Sequence, residues 1–317
     1  MAEEGGNNNV FVYMGGSQRL PRDVTHVRVH KSVKIITRDA FRGCRNLVSI
    51  EMHDGVEIIE AWAFCGCTSL GTIKLPGVRI IGNGAFFQCT ALEDVVFGDK
   101  LETIGNEAFY CCTSLRSIKL PKIRAIGEGA FEYCEQLTEV ELSEDLETVG
   151  DKALAYCPRL RRIALSLKAN LLGYYVFDGC GDLSQVDLVG GIHKTTSSLL
   201  LESWRNEMNF EIDRINQDLP NIRYGKIVAI RQWMEKVRER ITHYKSEHYA
   251  LLKYNMTQLE LALWDANLPN VDAAASRVVA RVTCGANIII PHVLSFLNDA
   301  DVFPLLDYDQ QYKGSRC

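Results

Sequence analysis

Between Ala40 and Cys180 the chain repeats one phrase: a small or β-branched residue, then Phe or Leu, and three positions later Cys. It stands at Ala40-Phe41, Ala63-Phe64, Ala85-Phe86, Ala108-Phe109, Ala130-Phe131, Ala153-Leu154 and Val176-Phe177, in steps of 23, 22, 23, 22, 23 and 23 residues. Seven of the eleven cysteines keep the beat: Cys44, Cys67, Cys89, Cys112, Cys134, Cys157 and Cys180. A unit this short cannot bury its own apolar face, so a chain built from such units must stack them as the coils of a solenoid.

Within a unit the pattern after Cys is Leu115, Ile118, Leu120, Pro121, then Ile123, Ile126 and Gly127 in the fourth copy. Ile118 and Leu120 alternate with Ser117 and Lys119, which predicts a strand with one buried face. Pro121 ends it, because proline cannot donate to a ladder. A second extended piece runs to Gly127, and glycine recurs there as Gly82, Gly105, Gly150 and Gly173. Either a positive φ or a close backbone approach would require it. The Ala-Phe-x-x-Cys segment is expected to form a turn of helix whose Phe plugs the core.

These residues resemble the BspA-like, or Treponema pallidum-type, leucine-rich repeat over roughly residues 24 to 189. The resemblance implies a right-handed curved solenoid that acts by binding other proteins, many family members doing so on bacterial or protist cell surfaces. A finer alternation, with Thr68 to Pro76 matching Thr113 to Pro121 and Leu101 to Gly105 matching Leu146 to Gly150, points to a 45-residue pair as the evolutionary unit.

Equivalent positions on stacked coils should lie about 4.8 Å apart. One surface line then reads Lys34, Glu57, Arg79, Glu102, Arg124, Glu147, with signs alternating, a ladder best explained as neutralising itself. The exposed line of the first strand is less regular: Arg28, Glu51, Lys74, Val96, Lys119, Glu141, Ala164, Asp187, flanked by a line that includes Arg162. Irregularity is where a ligand-specific surface would show, so Glu51, Lys74, Val96, Lys119, Glu141 and Arg162 are the candidate protein-binding residues. A rival is the turn edge, where Phe87, Tyr110, Tyr133 and Tyr156 fall on neighbouring coils. Aromatics anchor interfaces, but a solenoid also tucks them against the next turn.

The ends need covers. Val10 to Tyr13 and Val24 to Ile36 read as strands closing the first end, and Gly190-Gly191 breaks the rhythm at the other. From Ser197 the period becomes helical: Leu201, Trp204, Met208, Ile212, Ile215, then, after Leu219-Pro220, Ile227, Ile230, Met234, Val237, Ile241, Tyr244, His248 and Leu251, continuing through Leu252, Met256, Leu259 and Leu263. A helical hairpin, or a helix that also pairs with a second copy as a coiled coil, follows. The set Arg231, Lys236, Arg238, Arg240 and Lys245 is interleaved with Glu235, Glu239 and Glu247, as on a solvated helix face rather than a calmodulin or membrane target. After a linker from Ala266 to Ala275, Pro291 opens a short helix, His292 to Leu297, and the end from Asn298 is polar. The phrases ESWRNEMNFEIDRIN, ELALWDAN and CGANIIIPHVLSFL resemble the tails of leucine-rich-repeat proteins of diatoms and related algae, a likeness that implies no particular activity. The expected fold class is α+β: a solenoid of short parallel strands followed by an α-helical C-terminal region. Its domains are residues 1–39 (cap), 40–191 (seven repeats), 192–265 (helical region) and 266–317 (linker, short helix and tail).

Stacked thiols about 5 Å apart would satisfy the Cα distance of a disulfide, but parallel side chains rarely reach its dihedral. Cys65-x-Cys67 and Cys111-Cys112 lack zinc or redox spacing, and His243 and His248 are five apart, so they diverge on a helix. His193 beside Gly190-Gly191 has no evident partner. The ladder cysteines are expected to be buried, reduced and inert, leaving Cys65, Cys111, Cys284 and Cys317 to react. No phosphate-cradling loop, nucleotide fingerprint or nucleophile elbow occurs, so neither catalysis nor a cofactor is expected. A net charge of -5 gives no reason to seek nucleic acid, and no apolar stretch reaches the eighteen residues of a membrane span. The acidic, polar N-terminus is unlike an export signal, so an intracellular, cytoplasmic location is expected. The sequence reads as a non-enzymatic protein-interaction scaffold for a protein partner, with self-association through the C-terminal helices as a further expectation. The alternative is an exported adhesive or structural surface protein.

Overall fold

The computed structural model describes residues 10–189 apart from 17, 19, 22 and 121, and residues 202–267; the side chains of 203, 251, 252, 255, 256 and 259–267 are outside the description. The expectations for Gly190-Gly191, His193, Leu201, Pro291, the terminal helix and tail, Cys284 and Cys317 lie outside these residues.

Six successive coils carry two short strands each. The first series comprises β1 (Phe11–Tyr13), β2 (His26–Val29), β4 (Ser49–Glu51), β6 (Thr72–Leu75), β8 (Asp94–Phe97), β10 (Ser117–Lys119), β12 (Glu139–Glu141), β14 (Arg162–Leu165) and β15 (Gln185–Leu188). The second comprises β3 (Ile35–Ile36), β5 (Ile58–Ile59), β7 (Ile80–Ile81), β9 (Thr103–Ile104), β11 (Ala125–Ile126) and β13 (Thr148–Val149). All pairings are parallel and in repeat register: Ser117 pairs with Glu139, Glu139 with Arg162 and Arg162 with Gln185. The second series forms one six-stranded ladder, whereas the first is three blocks, β1-β2-β4, β6-β8 and β10-β12-β14-β15. β2 and β3 pair with β4 and β5, so the segment expected as a cap already contains a coil.

The Ala-Phe-x-x-Cys segment is not a turn of helix. Cys44 N–H donates to Phe41 O, three residues back, while Phe41 N–H donates to Ala63 O on the next coil at 2.7 Å, and Phe64, Phe86 and Phe109 repeat this bond. A left-handed residue stands just before each segment and another within it, Glu107 (φ +55°) and Cys111 (φ +56°) in the fourth coil, and these interrupt any helix. The third side of the solenoid is therefore hydrogen-bonded from coil to coil.

Period alone places the core. Phe41, Phe64, Phe86, Phe109 and Phe131 are buried and stack along the axis with centroids 4.9–5.2 Å apart and planes within 6°. Beside them Cys67, Cys89, Cys112, Cys134, Cys157 and Cys180 are buried, each thiol donating to the carbonyl at the Phe position one coil back at 3.1–3.4 Å. Cys44 begins this ladder and is only half-buried, contrary to expectation. The recurrent glycine answers to close approach, not to positive φ: a Cβ on Gly105 would stand 2.7 Å from Asn83 N and 2.8 Å from Gly82 C.

Both ends of the first-strand series are closed by a side-chain amide. On β1, Gln18 accepts from Met14 N–H at 2.6 Å and donates to Val12 O, filling the edge a further strand would use, while Tyr13 packs on Phe41. On β15, Asn216 Oδ1 accepts from Val186 N–H at 2.7 Å. Asn216 belongs to α1 (Glu202–Asp218), which packs on β15 and is followed by a 3₁₀ turn, Leu219–Asn221, and by α2 (Lys226–Asn267). The expected hairpin forms. Glu211 meets Lys236 while Glu207 meets Arg240, an antiparallel register, and Trp233 Nε1 donates to Glu211 O. Ile230, Met234, Val237, Ile241 and Tyr244 are buried as the heptad spacing requires. The first compact unit ends at Thr242; in the second, which opens at His243, His243 Nε2 lies 3.2 Å from Glu247. α2 extends to Asn267, two residues into the expected linker, the rest of which lies outside the described residues.

Candidate binding surfaces

The first-strand face is set by pleat. In β10, Ile118 is buried and Lys119 exposed; in β6, Ile73 and Leu75 are buried and Lys74 exposed. Glu51, Lys74, Val96, Lys119 and Glu141 all point outward, with Val96 48% exposed. Lys74 is in register with Val96, and Lys119 with Glu141. At the N-terminal end Glu51 is occupied by Arg28 at 2.6 Å, whose hydrogen bond and charge hold the carboxyl below its usual range.

The C-terminal end departs from expectation. Ala164 is 3% exposed: its methyl lies in register between Glu141 and Asp187, where α1 covers the adjoining strand. Arg162 is only part-exposed and bridges Glu139 and Asp187, so its guanidinium holds coils together. The exposed, unpaired part of this row therefore narrows to the middle coils.

The line of alternating charges closes at Arg79, whose guanidinium forks onto Glu102 at 3.0 Å. Exposed pairs of this kind add tenths of a kcal/mol.

On the turn edge the aromatics stack on one another. Phe87 and Tyr110 are parallel at 4.9 Å, Tyr133 and Tyr156 at 4.7 Å, and Tyr110 meets Tyr133 at 67°. Trp62, missed because it precedes its Phe instead of following it, joins the row edge-on to Phe87. Phe87, Tyr110 and Tyr133 are half-buried and Tyr156 is 41% exposed.

The basic set on α2 is part-exposed and largely paired within the chain. Arg231 donates to the carbonyls of Leu172 and Gly173, Lys236 and Arg240 meet Glu211, and Arg238 meets Glu235. Glu211, 1% exposed, was invisible to sequence reasoning, as was Lys226, 4% exposed, which donates to Gly181 O and Leu183 O. Burial pushes the Lys226 pKa down. Among the described residues no group of three or more potential metal ligands is gathered, and no helix is long and apolar enough to cross a membrane.

The family described as the BspA type leucine rich repeat region matches residues 21–123 and 102–219, in six copies. No curated protein matches the chain. Among solved structures, a Treponema pallidum leucine-rich-repeat protein is similar at 24% identity, over 56% of this chain and 72% of that one, with a TM-score of 0.40. A Bacteroides ovatus leucine-rich-repeat protein is similar at 28% identity, over 53% and 56%, with a TM-score of 0.39. One from Eubacterium ventriosum is 27% identical over 48% and 42%, with a TM-score of 0.45.

Proposed function

Because the chain belongs to the BspA-type leucine-rich-repeat family, whose members are non-enzymatic scaffolds of protein interaction or surface adhesion, we propose that it is a protein-recognition scaffold that meets its partner with the first-strand face of its middle coils. One observation carries this reading: Lys74, Val96, Lys119 and Glu141 stand exposed on neighbouring coils whose inward residues are buried. Such a backbone is pre-ordered, so binding would cost little conformational entropy. An apolar Val96 between two lysines suits a partner that presents an apolar side chain among carboxylates. The proposed role is intracellular. An exported adhesive protein would use the same face, and cell fractionation separates the two.

The test is capture of partners from extract by wild-type protein and by Val96→Glu with Lys119→Glu. Both side chains point outward, so the melting temperature should hold while the captured partner weakens by about tenfold or more, through repulsion and loss of the apolar contact. Normal binding by the double variant would remove this face from consideration. Loss only in Tyr110→Ala with Tyr133→Ala would move the site to the turn edge.

A further inference from the structure

Between its edge-on Trp62 head and Tyr156, the aromatic row changes register at the Tyr110–Tyr133 step. Phe87 and Tyr110 take the residue after the core Phe, Tyr133 and Tyr156 the second residue after the core position, and the planes turn from parallel to 67° at this shift. Two carboxylates gather beside the break. A Cβ on Gly129 would stand 3.0 Å from Glu132 Oε2 and 3.7 Å from Glu107 Cγ, so both side chains lean over this glycine. Burial pushes the Glu132 carboxyl up, the Lys152 ammonium pulls it down, and Glu107 and Glu128 push it up again. Three carboxylates with one ammonium, Lys152, among them leave this edge with a net negative charge beside part-buried rings, which suits a cationic partner.

The chain itself shows which cation suits this edge. At the head of the row the Arg42 guanidinium lies 5.8 Å from the Trp62 ring centre, and in the turn segment beyond Tyr156 the Arg231 guanidinium lies 5.3 Å from Tyr174. A guanidinium can stack flat on a ring and fork onto a carboxylate at once, whereas an ammonium does neither as well. We propose that the turn edge from Phe87 to Tyr156, with Glu107, Glu128 and Glu132 beside the Tyr110–Tyr133 step, docks an arginine-rich segment of a partner protein. The proposal rests on the reading of the repeats as a protein-binding scaffold but uses a different face, one that takes a basic rather than an acidic partner.

The test uses the full chain and two fluorescent peptides of equal length and charge, one alternating Arg with Ser and the other Lys with Ser, in anisotropy titrations at several salt concentrations. The Arg peptide should bind about tenfold more tightly than the Lys peptide. Tyr110→Leu with Tyr133→Leu should remove that preference, and Tyr110→Phe with Tyr133→Phe should keep it. Glu107→Gln with Glu132→Gln should weaken both peptides and flatten the salt dependence. Thermal melts check that each variant folds; the Phe and Gln pairs change too little to unfold a coil. Equal affinity for the two peptides, no binding of either, or an arginine preference that survives the Leu pair would overturn the proposal. Those outcomes would leave the Val96 and Lys119 capture experiment untouched, so failure of this edge is separable from failure of the sheet face.

Discussion

At the scale of single residues, the ladder cysteines show why this small side chain recurs. The carbonyl at each Phe position points into a dry interior, and a thiol one coil on supplies a donor without the volume of a larger polar group, as Cys112 does for Phe86 O at 3.2 Å. Cys112→Ala removes that donor and leaves a small void, so a loss of about 1–3 kcal/mol is expected in urea unfolding. Burial also keeps these thiols protonated. It pushes Cys89 and Cys180 up to about 12 and Cys112, Cys134 and Cys157 well above the ordinary value. The unfolded chain ionises its thiols from about pH 8.5 and then binds fewer protons than the native one, so stability falls as pH rises above that value, by up to about 1.4 kcal/mol per pH unit per thiol, until the native thiols titrate in turn. The stability gap between wild type and Cys112→Ala should accordingly narrow between pH 8 and pH 10, and a constant gap would contradict the buried, protonated state. Under native conditions Cys44, Cys65 and Cys111, all half-buried, should label ahead of the six buried thiols.

At the scale of an element, the coil-to-coil spacing is set where backbone meets backbone. Gly105 faces the Asn83 and Gly82 backbone at distances no Cβ tolerates, whereas a Cβ on Gly71 would meet nothing within 4 Å. Gly105→Ala should cost about 1–3 kcal/mol by forcing two coils apart, and Gly71→Ala should be near neutral; equal effects in chemical denaturation would refute this account of the repeated glycine. The turn segment follows the same logic. Its N–H groups are shared between bonds three residues back and bonds to the next coil, so an apolar phrase that suggests a helical turn is satisfied better as part of a stack.

For the whole molecule, the helical hairpin ends the solenoid by replacing the next coil. Lys226 enters at the first residue of α2, where the helix dipole disfavours a cation, yet its ammonium is taken up by two carbonyls of the last coil at 2.8 and 2.6 Å. Glu211 is enclosed with Lys236 and Arg240 at 2.9 and 3.2 Å, while Arg214, 3.1 Å from its other oxygen, lacks hydrogen-bond alignment and contributes charge alone. Lys226→Met leaves the buried Leu183 carbonyl short of its donor, an expected loss of about 1–3 kcal/mol. Because coils contact only their neighbours, the loss should be local: hydrogen exchange should quicken in β14, β15 and α1 and stay unchanged in β2 to β7. Uniform acceleration along the chain would mean that the hairpin is not an end cap.

Periodicity by itself determined the stack, the two strand series, and the burial of the Phe and Ile positions and of every ladder cysteine after Cys44, because in a solenoid each residue meets its own counterpart and the repeat is already a contact map. It also located the heptad positions that close the hairpin. Tertiary structure alone decided how the period ends and what its surface leaves free. Gln18, Asn216, Lys226, Arg231 and Glu211 act on partners that no repeat predicts; Arg231 reaches Gly173 across 58 positions of sequence. Ala164 and Arg162 carry the outward phase of their strand, yet one is covered and the other tied into ion pairs. Period fixes the direction a side chain takes from the backbone, but whether it then meets solvent depends on aperiodic segments folding back over the coils, and that is settled only when those segments pack.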